Sequence, residues 1–460
     1  MMVEPAQFLT NSLKKVSIGQ QVCKILAAAI NAVDPYSVVK RYFIRTGNTL
    51  KVDQQVINLD AFNRVLVIGA GKASVPMAIA VCDQLSTYFT TGIIMTKDGY
   101  GSIPLGCACP PELQIIEASH PLPDSRGAAG TRQLIDLLST TDEEDLVIFL
   151  ISGGGSALLI SPADGISLSD VQQTTSSLLA CGATIREVNC IRKHLDSVKG
   201  GQLARIAAPS PIISLILSDV IGDPLDIIAS GPTAPDDSTY QDALTILQEL
   251  SLLEAVPSAV VSHLKSGASG MLPETPKLSD PVFRNVHNLI VGNNREASEA
   301  ALLQAREEGF NTLLLTNFLQ GEAHQVGKVI ASIARQAALM GEPLPRPACI
   351  VLGGETTVTV TGCGIGGRNQ ELALGCVETL AGLERTVIVS LATDGGDGPT
   401  NAAGAVVTGE TCSIAHAHGL HHAKFLKEND SYNFFDPLSD LIKTGPTQTN
   451  VNDLVLIFTY

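Results

Sequence analysis

Glycine-rich turns that follow apolar, β-branched runs are the places in this chain where side chains could do chemistry. The run Arg64–Ile68 ends in Gly69-Ala70-Gly71-Lys72-Ala73-Ser74 and passes into an apolar helix expected from Pro76. Gly69 and Gly71 permit a tight turn, and the helix start behind them offers N–H groups and a positive dipole end to an anion, with Lys72 at the mouth. The pattern is not a Walker A loop, because Leu66 stands where its first glycine would and Ala73 follows the lysine. It is also an imperfect dinucleotide fingerprint, since Ser74 takes the third glycine's place. The glycines serve either strand–helix packing alone or phosphate binding, and Lys72 tilts the reading toward phosphate.

A second turn, Ser152-Gly153-Gly154-Gly155-Ser156, follows Asp145–Ile151. Three successive glycines weaken a strand end unless backbone must come close to a ligand, a flexible turn being the alternative. After Ile212–Leu217 comes Ser218-Asp219, with Asp223 shortly beyond. A carboxylate there suits Mg²⁺ or the uptake of a proton, and equally a solvated loop. Between these turns Arg192, Lys193, His194 and Lys199 gather cations in a chain of net charge −16. They either focus positive potential on a phosphorylated ligand or form an ordinary basic helix face.

In the C-terminal half, Gly353-Gly354-Glu355 follows one strand, and Gly364 to Glu371 opens an apolar helix with Arg368 and Asn369 at its start. A guanidinium in that place can clamp a carboxylate or phosphate in two-pronged fashion. Thr393 to Thr400 offers Asp394 and Asp397 among glycines, as metal ligands, a base, or a structural Asp-Gly turn. Thr444-Gly445-Pro446-Thr447, with Asn450, Asn452 and Asp453, adds polar side chains before the last strand. His416, His418, His421 and His422 read as a solvated surface: only His418 and His422 have i,i+4 spacing, and no acidic residue completes an HExxH pattern.

The elements that must position these turns are nine short apolar runs: Arg64–Ile68, Gly92–Thr96, Asp145–Ile151, Ile212–Leu217, Asn288–Val291, Asn311–Leu315, Ala348–Leu352, Thr386–Leu391 and Asp453–Phe458. Several lack alternation, as strands buried on both faces of a parallel sheet do. Amphipathic stretches such as Glu296–Glu308 and His324–Leu339 lie between them, so the architecture is α/β with ligands at the carboxyl ends of strands. Gly, Ser and Pro cluster over Ser266–Pro281, which places a linker there and divides the chain into a domain over 1–280 and another over 285–460. At 460 residues, two or more domains are expected.

The balance of 30 Lys+Arg against 46 Asp+Glu excludes a nucleic-acid or acidic-membrane partner, leaving small molecules that must find local cations. Apolar runs are too short to span a membrane. Ten cysteines without a CxxC, most in apolar stretches (Cys23, Cys82, Cys349, Cys376), fit reduced thiols and a cytoplasmic location. Lys14, Lys15 and Lys24 against Glu4 leave a mitochondrial form as the alternative, although the segment from Gly19 reads better as a first folded helix. Composition leaves monomer and homo-oligomer undecided.

Nine ordered motifs carry a resemblance: GAGKAS, SHPLPD (Ser119–Asp124), SGGGSALL, IRKHLDSVKGGQLA, LSDVIGDPLDIIASGPT, GGETTVTV, GGRNQEL, ATDGGDGPT and KTGPTQTNVNDL. From about Gly19 to Tyr460 the chain resembles the class II glycerate kinases. The resemblance implies two α/β domains with largely parallel sheets, the N-terminal one Rossmann-like, and an active site in the cleft between them. It implies phosphoryl transfer from ATP, with Mg²⁺, to D-glycerate in serine, glycerate or fructose catabolism, giving 2-phosphoglycerate rather than the 3-isomer. The family's key cations fall on Lys72 and Arg368, and Gln448 stands where the family has glycine. Taken with the turns read above, Lys72, Arg368 and Asp219 are expected to be catalytic, and Asp394 and Asp397 to hold the metal. Gly69, Gly71, Ser152–Ser156, Arg192, Lys193, Lys199, Glu355, Asn369 and Asn450 are expected to bind ligand. Two rival readings are an NAD(P)H-dependent hydroxypyruvate reductase and a non-catalytic nucleotide- or molybdopterin-type binding protein.

Overall fold

The computed structural model describes residues 2–460 and divides into two compact units, Pro35–Val291 and the pair of segments Met1–Asp34 with Gly292–Tyr460. In the first unit an antiparallel ribbon, β1 (Phe43–Thr46), β2 (Thr49–Val52) and β3 (Gln55–Asn58), precedes a six-stranded sheet. That sheet contains β4 (Arg64–Ala70), β5 (Phe89–Lys97), β6 (Leu113–Ala118), β7 (Asp145–Ile151), β8 (Ile212–Leu217) and β9 (Val286–Gly292). Its order is β6-β5-β4-β7-β8-β9, and β4 to β8 pair in parallel. Every residue of β7 and β8 is buried, which is why these segments lack alternation. The chain winds outward from β4 in both directions. The point of reversal therefore lies between β4 and β7, where the crevice of a Rossmann-type sheet opens at the strands' carboxyl ends.

The second unit contains β10 (Asn311–Leu319), β11 (Ala348–Gly354), β12 (Thr386–Ala392), β13 (Gly404–Thr408), β14 (Leu441–Ile442) and β15 (Asp453–Thr459), in the order β10-β11-β15-β12-β13-β14. Only β10 and β11 pair in parallel; β15 enters between β11 and β12 antiparallel to both. This sheet is mixed, a correction to the expectation of largely parallel sheets in both domains. The reason is connectivity: β15 arrives from a loop at the opposite end, with no crossover helix before it. The register pairs Asp453 with Gly354 on one side and with Ala392 on the other. The start of β15 thus sits beside the ends of β11 and β12.

All nine predicted runs are strands, whereas β6, β13, β14 and the short β1–β3 ribbon were not foreseen. The division of the chain also differs from 1–280 and 285–460. The stretch 266–281 is no free linker: Thr275 is buried with its hydroxyl donating to Asp236 (3.0 Å), and the Asp236 N–H donates to the Pro276 carbonyl (3.0 Å). β9 then completes the first sheet, so the boundary falls after it. At the other end, the helix Gly19–Ala32 buries Val22, Cys23, Ile25, Leu26 and Ile30, and Lys24 pairs with Glu308 at 3.0 Å, which ties the N-terminal segment to the C-terminal unit. No single helix among the described residues is long and apolar enough to cross a membrane. Gln448, in the family's glycine position, adopts φ +64°, a backbone region that glycine occupies readily and other residues seldom.

Candidate active site

Two clusters of polar groups form, one in each unit. In the first, the turns after β4 and β7 are zipped together. The Lys72 N–H donates to the Gly153 carbonyl (2.8 Å), the Ser152 N–H to the Ala70 carbonyl (3.2 Å), and the Ala73 N–H to Ser152 Oγ (3.0 Å). Gly71 is required by this approach: at φ +140°, a Cβ there would lie 2.1 Å from Ser152 Oγ. Gly154, at φ +87°, lies against both His120 and Lys72; its Cβ would come 3.1 Å from His120 Cδ2 and 3.6 Å from Lys72 Cγ. Beyond it the chain makes a single helical turn, Gly155–Leu158, so the glycine triplet does not open a long helix as the first turn does with Ser74–Leu85. Ser156 Oγ lies 2.8 Å from Ser230 Oγ, which donates to Asn189 Oδ1 (3.0 Å). Asp219 is half-buried on the loop after β8.

His120 belongs to this cluster, although the sequence reading gave it no role beyond its place in the SHPLPD motif. Burial, reinforced by the nearby charges of Lys72 and Lys97, pushes its imidazole down to about 4, so it is neutral at pH 7. The sign of the linkage follows. A ring charged below about 6.5 in the unfolded chain but only below about 4 in the folded one withdraws stability as pH falls through that window. Thermal melts of wild type and His120→Gln from pH 7 to pH 4 are expected to diverge, with wild type losing ground to the variant below pH 6.5. Parallel pH dependences would disprove the assignment.

The basic stretch divides on inspection. Lys193 is buried between Asp226 (3.3 Å) and Asp236 (3.2 Å), and Lys199 is buried with Nζ 2.8 Å from Asp196 and donating to the Leu159 carbonyl (2.6 Å). Both are neutralised within the fold, a correction to their expected ligand role: a buried ammonium needs its carboxylate and has no charge left to offer. Arg192 differs. It is half-buried, and its guanidinium makes no ion pair or hydrogen bond among the described residues; burial holds it below its usual range while Asp196 partly offsets this. It lies three residues from Asn189, on the same helix face.

In the second unit the antiparallel entry of β15 brings the remaining candidates together. Arg368 opens the helix Arg368–Leu380. Its Nε and Nη2 donate to the two oxygens of Asp453 at 2.6 and 3.0 Å, and Nη1 pairs with Glu355 at 2.8 Å. The two-pronged face of the guanidinium is therefore already filled by a buried carboxylate, which corrects the idea that Arg368 clamps a ligand bidentately. Burial opposes its charge, but Asp453 and Glu355 override this and hold it above the usual arginine range. Asp453 is raised by burial, with Arg368 pulling the other way and Asp394 adding to the rise.

Asp397 accepts from the backbone N–H groups of Asn369 (3.1 Å) and Gln370 (2.8 Å), and burial pushes it up to about 7. It caps the helix that carries Arg368, and its oxygens point at that helix start. This fits a metal ligand poorly and corrects the expectation. Asp394 is half-buried, accepts from Gly396 N–H at 3.1 Å, and fits better as a hard-cation ligand. Asn369 is held by Ser390 Oγ (2.8 Å), and Asn450 accepts from the Asn452 N–H (3.3 Å). The sequence offers Asp453 only as a polar side chain at the start of a strand, so its pairing with Arg368 is not legible there. The polar KTGPTQTNVNDL motif was the one signal pointing to it.

Comparison with known proteins identifies the family. Residues 21–265 match the family described as a domain of unknown function (DUF4147), and residues 348–453 match the MOFRL family. A D-glycerate 2-kinase from Thermotoga maritima is 41% identical over 98% of this chain and 99% of its own length. The chain belongs to the class II glycerate kinases. The crystal structure of a glycerate kinase from Thermotoga maritima superposes on it with a TM-score of 0.84 at 39% identity, covering 98% of this chain and all of the other. A putative hydroxypyruvate reductase from Agrobacterium vitis is 40% identical over 85% of this chain and 98% of its own. Within the glycerate kinase fold, however, the acid that a dinucleotide-binding sheet needs after its second strand is Asp98. That carboxylate is committed to Arg126 at 2.6 and 2.8 Å. Ser74, in the third glycine's place, donates to the Gly71 carbonyl (2.7 Å) and lies 3.0 Å from the Met95 carbonyl.

Proposed function

We propose that this chain transfers the terminal phosphoryl group of ATP to D-glycerate, with 2-phosphoglycerate as product. The observation that carries the reading is the union of two glycine turns around Lys72 at the reversal point of the first sheet, which brings backbone N–H groups and a cation to one place suited to an anionic ligand. The kinase names of the relatives support the same substrate class. In the reaction a glycerate hydroxyl oxygen attacks the γ-phosphorus, the bond to the ADP oxygen breaks, and the hydroxyl proton is released. Proteins help such a step by placing the partners and by stabilising charge on the transferred group.

Lys72, the Ser152–Ser156 backbone and Arg192 supply the positive field for phosphate, with the neutral His120 lining the cradle without adding repulsion to Lys72. Asp219 receives the hydroxyl proton. Arg368 engages an anionic group through Nη1 alone, which the half-exposed Glu355 can yield, while Asp453 keeps Nε and Nη2 fixed. Asp394 holds the Mg²⁺ that accompanies ATP, an ion that masks phosphate charge. Phosphorus NMR of the product formed from ATP and D-glycerate tests the proposal. A 2-phosphoglycerate resonance is expected, a 3-phosphoglycerate resonance overturns the position assigned, and consumption of NADH with hydroxypyruvate in place of any phosphorylated product overturns the activity.

A further inference from the structure

The histidines that the sequence suggested were a solvated surface are partly organised by the fold. The helix Thr411–Ala417 ends before His418, so the i,i+4 relation of His418 and His422 is never formed. Instead Cys412 and His416, four residues apart, share one face of that helix. The chain then reverses, and His422, the first residue of the helix His422–Lys427, returns to the same place. The donor atoms of Cys412, His416 and His422 all lie within 4.8 Å of one another. His422 Nε2 is also 3.5 Å from Glu378 Oε2, on the helix that carries Arg368.

We propose that Cys412, His416 and His422, with Glu378 as fourth donor, bind a divalent cation of the zinc class. One sulfur, two imidazole nitrogens and a carboxylate oxygen form a donor set for a borderline-soft ion, and they exclude Mg²⁺ and Ca²⁺, which take oxygen. Zinc bonds of about 2.0–2.3 Å place tetrahedral donors roughly 3.3–3.8 Å apart, within side-chain rotation of the spread of the three clustered donors, and the exposed Glu378 side chain, which touches only His422 of the three, swings in to complete the four. The two neighbouring histidines are otherwise engaged. His418 Nδ1 lies 2.9 Å from the Ile414 carbonyl, and the His421 ring lies against His416 with centroids 5.3 Å apart and planes tilted by 47°. Sulfur binds such a cation as thiolate, so binding releases the Cys412 proton. Arg368 and Glu378 stand ten residues apart on one helix, about 15 Å along its axis, so this cation is separate from any metal that accompanies ATP.

The test is titration of the reduced, chelator-stripped full chain with Co²⁺ and then Zn²⁺. One equivalent of Co²⁺ is expected to produce a thiolate-to-metal charge-transfer band and intense tetrahedral d–d bands, which Zn²⁺ abolishes. Cys412→Ser is expected to remove the charge-transfer band and to weaken Zn²⁺ at least tenfold in competition with a chromophoric chelator. His416→Ala and His422→Ala should weaken it similarly, and His418→Ala should leave it unchanged. Absence of the charge-transfer band, or equal losses in His418→Ala and His422→Ala, would overturn the site in favour of an unstructured histidine surface. Circular dichroism of each variant separates loss of ligand from loss of fold.

Discussion

Lys72→Ala is expected to lower kcat/KM for ATP-dependent phosphorylation of D-glycerate by about a thousandfold, a loss of roughly 4 kcal/mol in transition-state stabilisation. The size follows from where the residue stands. Its backbone N–H is fixed to Gly153, its stem lies against Gly154, and its charge is felt by His120. Catalysis of phosphoryl transfer rests mainly on such pre-placed charge, because little rearrangement is needed at the moment of reaction. Release of ADP, followed with D-glycerate present and absent, measures the effect. Turnover equal to wild type would remove Lys72 from the mechanism.

Arg368→Ala is expected to destabilise the second unit and to inactivate the enzyme. Losing the guanidinium leaves Asp453 buried without its counter-charge, which costs about 3–5 kcal/mol. The deficit should shrink on acidification. Asp453 and Asp397 already have raised pKa values in the intact protein, and without the guanidinium their protonated forms are favoured further, so below the carboxylate range the variant no longer holds an unpaired charge. The double variant Arg368→Ala/Asp453→Asn should recover much of the stability and none of the turnover. That outcome would separate the structural pair from the chemistry. If the double variant regained activity as well, Arg368 would be a scaffold residue only.

The same cluster shows where reading the chain in one dimension stops. Arg368, Asp394 and Asp397 stand out in sequence because charges beside glycines at strand ends are unusual. Their roles nevertheless diverge according to neighbours up to 85 residues away. Asp397 turns its oxygens onto a helix start and becomes a cap. Asp394 stays half-exposed. Arg368 meets an acid whose local context is only the beginning of a strand. Lys193 and Lys199 likewise looked equivalent to Arg192 until Asp236 and Asp196 were seen to neutralise them, because burial of an ammonium demands a carboxylate that spacing alone does not name.

By itself, the sequence determined the α/β architecture, the nine apolar runs, the turns that carry Lys72, Ser152 and Arg368, and the family. All of these are written in local signals: unbroken apolar stretches for strands covered on both faces, glycine where backbone must turn or approach, and ordered motifs. Only the tertiary structure decided that β15 enters its sheet antiparallel between β11 and β12. That one choice sets Asp453 beside Glu355 and Asp394 and gives Arg368 its partner. It also decided that β9 and the first 34 residues belong to the units they do, and that Cys412 meets two of four histidines. The physical reason is common to these cases. Strand order and long-range pairing are selected by the burial of whole faces, and no short stretch of chain carries that information.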